Sequence, residues 1–100
     1  MIVVRDRRVI VKLLAKEAKG GFVVIHANNV ESVVTKLGAI PVGDAYAVVK
    51  LPRDFGKTYY VLYTIFELGH NQRLRVSVYN KDMEKVGDFE YWPKVEVEVS

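Results

Sequence analysis

The residues that could carry chemistry in this 100-residue chain are few and widely separated. Its two histidines, His26 and His70, lack the HxH or HxxxH spacing that brings two imidazoles to one metal ion. There is no cysteine, which excludes disulfides, iron–sulfur clusters and thiol chemistry. Glu67 is the nearby carboxylate that could form an acid–base pair with His70. The pattern favours structural or contact roles for both histidines.

The sequence indicates neither a nucleophilic serine nor a phosphate-binding loop. Ser32, Ser77 and Ser100 lack the context of a nucleophile elbow. Gly20 and Gly21 precede a predicted strand, whereas a phosphate-binding glycine loop follows a strand and opens a helix. The two glycines are better explained as a helix terminator. We therefore expect no catalytic residue, no metal site, no bound cofactor and no enzyme that acts alone.

Length and composition indicate one globular domain that spans residues 1–100. Half of the residues are apolar, and 27% are charged with both signs mixed. The first residues lack the apolar core of a signal peptide, and no apolar run approaches the ~20 residues needed to cross a bilayer. We predict a cytoplasmic protein, either free or peripheral on a membrane complex. A single Gln, no Cys and many Lys, Arg and Glu are typical of a thermophile.

The whole chain has a net charge of +3, and its positive charge is concentrated in the first residues. Residues 5–19 are predicted to form an amphipathic helix, because apolar residues share one side of a 3.6-residue period. The opposite side carries a basic stripe: Arg5, Arg8, Lys12, Lys16 and Lys19. This stripe could contact phosphates, acidic lipid headgroups or an acidic protein surface. The alternative is the solvated face of an ordinary helix.

The stretch from Thr58 to Tyr79 is predicted to be a central hairpin with a tight turn at Gly69-His70-Asn71. Its first strand is apolar on both faces, which is typical of a strand that is covered on both sides. Its second strand alternates, with Arg73 and Arg75 on the face that meets water or a polar partner.

The other segments complete an α+β fold of order α-β-α-β-β-β-(β), in which two helices pack on one face of a largely antiparallel sheet. Asn28 is predicted to cap the second helix, with Glu31 completing a capping box and Gly38 ending the helix. The three strands outside the hairpin are predicted at Phe22–His26, Ala45–Leu51 and Lys94–Val99.

Sequence segments of the predicted hairpin also resemble a known family. Tyr59 to Tyr63, then Phe66 to Val78, and farther on Tyr91-Trp92-Pro93 are similar to the C subunit of NADH:quinone oxidoreductase (respiratory complex I) and to its counterpart in membrane-bound energy-converting hydrogenases. That family shows a tyrosine-rich apolar strand, a turn with His-Asn and a strand reading Arg-Leu-Arg-Val. This chain departs from it after the Trp-Pro element, where Lys94 to Val99 replaces an acidic segment.

The resemblance implies a non-catalytic accessory subunit that docks on the large catalytic subunit of such an oxidoreductase complex and binds no cofactor. Arginine is favoured at protein interfaces, which fits Arg73 and Arg75 in this role. The residues expected at the partner interface are His70, Asn71, Arg73, Arg75 and Trp92.

Two other functions remain open at this point. A small basic nucleic-acid-binding module would expose aromatic rings beside cations on a sheet face. The residues that could provide this are Tyr59, Tyr60, Tyr63 and Tyr79 with Arg73 and Arg75. Alternatively, the alternating strand Lys94–Val99 could pair with its twin in a homodimer.

Overall fold

The computed structural model describes residues 7–91. Within this range the elements are α1 (Arg7–Ala18), β1 (Phe22–Ala27), α2 (Val30–Leu37), β2 (Ile40–Val42), β3 (Tyr46–Lys50), α3 (Phe55–Leu68), β4 (Leu74–Tyr79) and β5 (Lys85–Tyr91). The predicted α+β class is confirmed. The predicted strand Lys94–Val99, and with it the dimer hypothesis, lies outside the described residues, as do Arg5 and Trp92.

The strands form one sheet in the order β2-β3-β1-β4-β5, and every neighbouring pair is antiparallel. β1 is the central strand, and its side chains alternate between buried and accessible positions. Val23, Ile25 and Ala27 point into the core, where they meet the helices. Because the buried positions of β3, β4 and β5 are in register with these residues, all three described helices cover the same face of the sheet.

The first two helices agree with the prediction, with one shifted boundary. α1 buries Val11, Leu14, Ala15 and Ala18, as its period requires. α2 is capped by Asn29 rather than by Asn28, because the Asn29 side chain accepts a hydrogen bond from the Ser32 amide at 3.4 Å. Glu31 therefore occupies the second helical position instead of the third. Gly38 ends α2 in the left-handed conformation at φ 63°.

The predicted first strand of the central hairpin is wrong, because Phe55–Leu68 is helix α3. Its buried residues Thr58, Leu62, Ile65 and Phe66 follow the spacing i, i+4, i+7, i+8 of one helical face. Asp54 caps α3 by accepting a hydrogen bond from the Lys57 amide at 3.0 Å. The chain therefore has three described helices rather than two.

The predicted second strand is confirmed as β4, but it pairs with β1 and β5 instead of with residues 59–68. Two further strands have no counterpart in the sequence-based prediction. The segment around Pro41 forms the short edge strand β2. The polar segment after Tyr79 contains β5, which fills the core with only two side chains, Phe89 and Tyr91.

Candidate functional site

The face of the sheet opposite the helices is not covered by any described element. On β3, β1 and β4 every side chain that points to this face is at least partly accessible, whereas the side chains that alternate with them are buried. On the three central strands β3, β1 and β4 these side chains lie side by side in three rows. The rows are Lys50–Phe22–Tyr79, Val48–Val24–Ser77 and Tyr46–His26–Arg75. We call this surface the open face.

The first row is an aromatic pair between two cations. The rings of Phe22 and Tyr79 are stacked with centroids 4.7 Å apart and an interplanar angle of 9°. Lys85 on β5 is opposite Tyr79, and its Nζ lies 6.0 Å from the centre of that ring. On the other side, Lys50 on β3 is opposite Phe22. Across four strands the row therefore consists of two neighbouring rings with a cation on each side.

A second aromatic pair lies at the other end of β1. His26 stacks on Tyr46 with ring centroids 4.7 Å apart, and Arg75 is opposite His26 on β4. His26 and Tyr46 are both exposed. His26 is four positions along β1 from Phe22, which corresponds to about 13 Å at ~3.3 Å per residue. Between them Val24 and Val48 form a half-buried apolar floor.

Beside the Phe22 end of the open face, a groove of about 490 Å³ continues the surface toward the loop after β3. Lys50 and Arg53 line it, and none of its lining residues is acidic. The β5 side of the face is balanced in charge instead. There Asp88 lies 3.8 Å from Lys85 Nζ and accepts a hydrogen bond from Ser77 at 3.2 Å, and Glu90 lies 3.6 Å from Arg73. Positive charge therefore accumulates toward β3.

The structure separates the residues predicted to bind a partner. Arg75 is on the open face, and Arg73 precedes β4 at its edge, paired with Glu90. His70 and Asn71 lie in the turn between α3 and β4, where Asn71 lines a polar groove of about 420 Å³ beside α2. These residues therefore do not form one compact surface.

The residues predicted to form an aromatic and basic sheet face do not lie on one face of the sheet. Tyr59, Tyr60 and Tyr63 belong to helix α3 and lie on the opposite side of the molecule, so only Tyr79 of that set reaches the open face. The rings that accompany it, Phe22, His26 and Tyr46, were not identified in the sequence. In the predicted strand Phe22–His26, alternate positions share one face, and this was the signal that could have placed Phe22 and His26 together.

The basic stripe lies on the helical side, away from the open face. Arg8 and Lys12 line a groove between α1 and α3, and Lys12, Lys16 and Lys19 are exposed. Among residues 7–91 no three potential metal ligands come together. No helix in that range is long and apolar enough to cross a bilayer. The arrangement offers surfaces for binding.

Comparisons of the chain with protein-family models, with curated proteins and with solved structures found no match. The resemblance to the complex I family therefore depends on the short sequence segments alone. Residues 59–68, which were predicted to be a strand in that resemblance, are helical in this chain.

Proposed function

We propose that this chain is a non-catalytic binding module for single-stranded nucleic acid, which it binds on the open face. The observation that carries the proposal is the first row, in which Lys50, Phe22, Tyr79 and Lys85 stand side by side across four strands. Stacked rings between cations combine the two interactions that a nucleic-acid strand offers, base stacking and phosphate attraction.

Base stacking supplies affinity at such a surface. Stacking of a base on an aromatic side chain contributes ~1–3 kcal/mol and tolerates any base, because every base has a π-face. The two ring pairs are about 13 Å apart along β1. An extended strand lying along β1 would therefore reach both pairs and would cross the apolar floor of Val24 and Val48 between them.

Phosphate attraction supplies the salt dependence. Lys50 borders Phe22 on the β3 side, and the groove beside it adds Arg53, whereas Lys85 on the β5 side lies 3.8 Å from Asp88. The described elements place no helix or ribbon on the open face that could enter the major groove of a duplex. We therefore expect a preference for unpaired strands, whose bases are free to stack.

Fluorescence anisotropy with labelled single strands of about 12 nucleotides, RNA and DNA, tests the proposal directly. Binding should be measurable at low salt, weaker for the matching duplex, and reduced about tenfold when salt rises from about 50 to 200 mM. Phe22→Leu keeps an apolar residue and removes the ring, so it should weaken binding at least fivefold, for a loss of about 1 kcal/mol.

Tyr60→Leu is the matched control, because it removes an exposed ring from the helical side of the molecule. It should leave the affinity unchanged. The proposal would be refuted if neither RNA nor DNA bound at low salt. It would also be refuted if the two variants lost affinity equally.

A second candidate function, suggested by the sequence resemblance, is that of an accessory subunit in a complex-I-like or hydrogenase assembly. The observation that favours it is the helical side, which exposes large apolar side chains on α1 and α3: Val9, Leu13, Phe55 and Tyr60. A docking surface of this kind would resist salt, whereas nucleic-acid binding would not. The tagged protein should then co-purify at high salt with a large redox subunit, and its absence would remove this candidate.

A further inference from the structure

A groove of about 460 Å³ runs between α1 and α3, on the side of the molecule opposite the open face. Val9 of α1 and Phe55 and Tyr59 of α3 give it apolar walls, and Gly56 also lines it. Tyr63 extends the aromatic wall, because its ring stacks on Tyr59 with centroids 6.1 Å apart. Phe55, Tyr59 and Tyr63 are spaced by four residues and thus form one stripe along α3.

The opposite rim of this groove is positively charged. Arg8 and Lys12 line it, and Lys16 continues the same stripe one turn farther along α1. None of the lining residues is acidic. The first residues of α3, Phe55 and Gly56, line the groove, and Asp54 caps that end of the helix. The groove therefore pairs an aromatic wall with a cationic one.

We infer that this groove binds an acidic amphipathic segment of a partner protein, with apolar anchors against Phe55 and Tyr59 and carboxylates toward Arg8, Lys12 and Lys16. Charge complementarity selects this occupant. Aromatic residues and arginine are the types enriched at protein interfaces, and an apolar helix face laid into a groove is a common mode of peptide recognition. The inference does not depend on nucleic-acid binding by the open face.

A peptide fits this site better than a nucleic acid does. A few side chains of a helix would cover the apolar walls that Val9, Phe55 and Tyr59 form. A strand of nucleic acid would place phosphates along its whole length, whereas here the cations occupy one rim only. The partner should therefore carry carboxylates on one flank and apolar residues on the other.

Selection from a display library of random peptides of roughly 15 residues, about four helical turns, tests the inference. Sequences recovered on the wild-type protein should combine apolar residues at helical spacing with an excess of Asp and Glu. Backbone NMR shifts should place a recovered peptide at Gly56, Tyr59 and Lys12. Recovery of no sequence, or of basic sequences, would overturn the inference.

Lys12→Glu reverses one charge on the groove rim and should weaken a recovered peptide about fivefold or more. Lys36→Glu makes the same charge change at an exposed position on α2 and should leave its affinity unchanged. Equal effects of the two variants would show general electrostatics and contradict the site. In the free protein, NMR contacts between the groove and Ile2, Val3 or Val4 would show that the chain's own start fills it, which would also overturn the inference.

The same NMR titration separates this inference from the proposed function. A single-stranded oligonucleotide should shift resonances of Phe22 and Tyr79 and leave those of the groove unmoved. If the oligonucleotide instead shifts the groove and the acidic peptide does not, the inference fails. If neither surface responds to the oligonucleotide while the peptide binds the groove, only the proposed function fails.

Discussion

The backbone carbonyl oxygen of Tyr79 lies against the α-carbon of Gly21, in the position that a side chain at Gly21 would occupy. Gly21 also accepts a hydrogen bond from the Leu51 amide at 2.9 Å, so its backbone is held between β3 and β4. This close approach occurs immediately before Phe22, whose ring stacks on that of Tyr79. Glycine at this position leaves room for the backbone of β4 beside the aromatic pair of the open face.

We predict that Gly21→Ala lowers the free energy of unfolding by about 2–3 kcal/mol, because backbone atoms of Tyr79 and Asn80 would have to move. Urea denaturation followed by circular dichroism measures this. Gly56→Ala is the control, since Gly56 lies in α3 and an added methyl group would meet only the Asp54 side chain, at 3.3 Å. Alanine is the better helix former, so the control should be neutral or up to ~1 kcal/mol stabilising. Equal stabilities of both variants would contradict the argument.

The buried hydroxyl of Thr58 provides a second prediction, for the start of α3. Thr58 is fully buried, and its Oγ1 lies 2.5 Å from the carbonyl oxygen of Pro52 and 2.8 Å from that of Asp54. Thr58→Val keeps the shape and loses the hydrogen bond, which should cost about 1 kcal/mol. Thr58→Ala should cost more, because it also leaves a cavity. Thermal unfolding of both variants compares the cost of the lost hydrogen bond with the cost of the cavity. A Thr58→Val variant as stable as the wild type would refute a stabilising role of the hydrogen bond.

The structure shows which parts of the fold the sequence could specify. Local signals sufficed for α1 and α2, whose apolar period and terminal glycines agree with the structure. The strand prediction failed for α3 because Tyr, Val, Thr and Ile between Thr58 and Ile65 favour strands intrinsically, and the wide apolar stripe of a buried helix resembles a strand covered on both faces. Asp54 and the i, i+4, i+7 spacing of Thr58, Leu62 and Ile65 were the competing signals.

The open face was less accessible to prediction, for a geometric reason. Arg75 and Tyr79 could be assigned to one accessible face from the alternation of a single strand. Lys50, Phe22 and Tyr79 become neighbours only through the register of three strands that are separated in sequence by α2 and α3. Such a register follows from packing of the whole core and is not encoded in any one segment.

Met83 supplies a third prediction, in the turn between β4 and β5. It adopts φ 65° and is 72% exposed, so its side chain gains little packing for an unfavourable backbone conformation. Met83→Asn should stabilise the protein by about 0.5 kcal/mol, because asparagine tolerates the left-handed region. Met83→Val should destabilise it by at least ~1 kcal/mol, because β-branched residues do not. Chemical denaturation that ranks Val above Asn would contradict this account of the turn.

The last prediction concerns Lys50 and the salt dependence of nucleic-acid binding. Lys50 borders Phe22 on the open face, whereas Lys57 is an exposed lysine on the helical side. If Lys50 contacts a phosphate of a bound single strand, Lys50→Gln should reduce the slope of log K against log salt by about 0.7, because one fewer counterion is released. Lys57→Gln removes the same charge elsewhere and should leave the slope unchanged. Anisotropy titrations at several salt concentrations measure both slopes. Equal reductions in the two variants would show that binding responds to net charge alone, and an unchanged slope in Lys50→Gln would remove this residue from the binding surface.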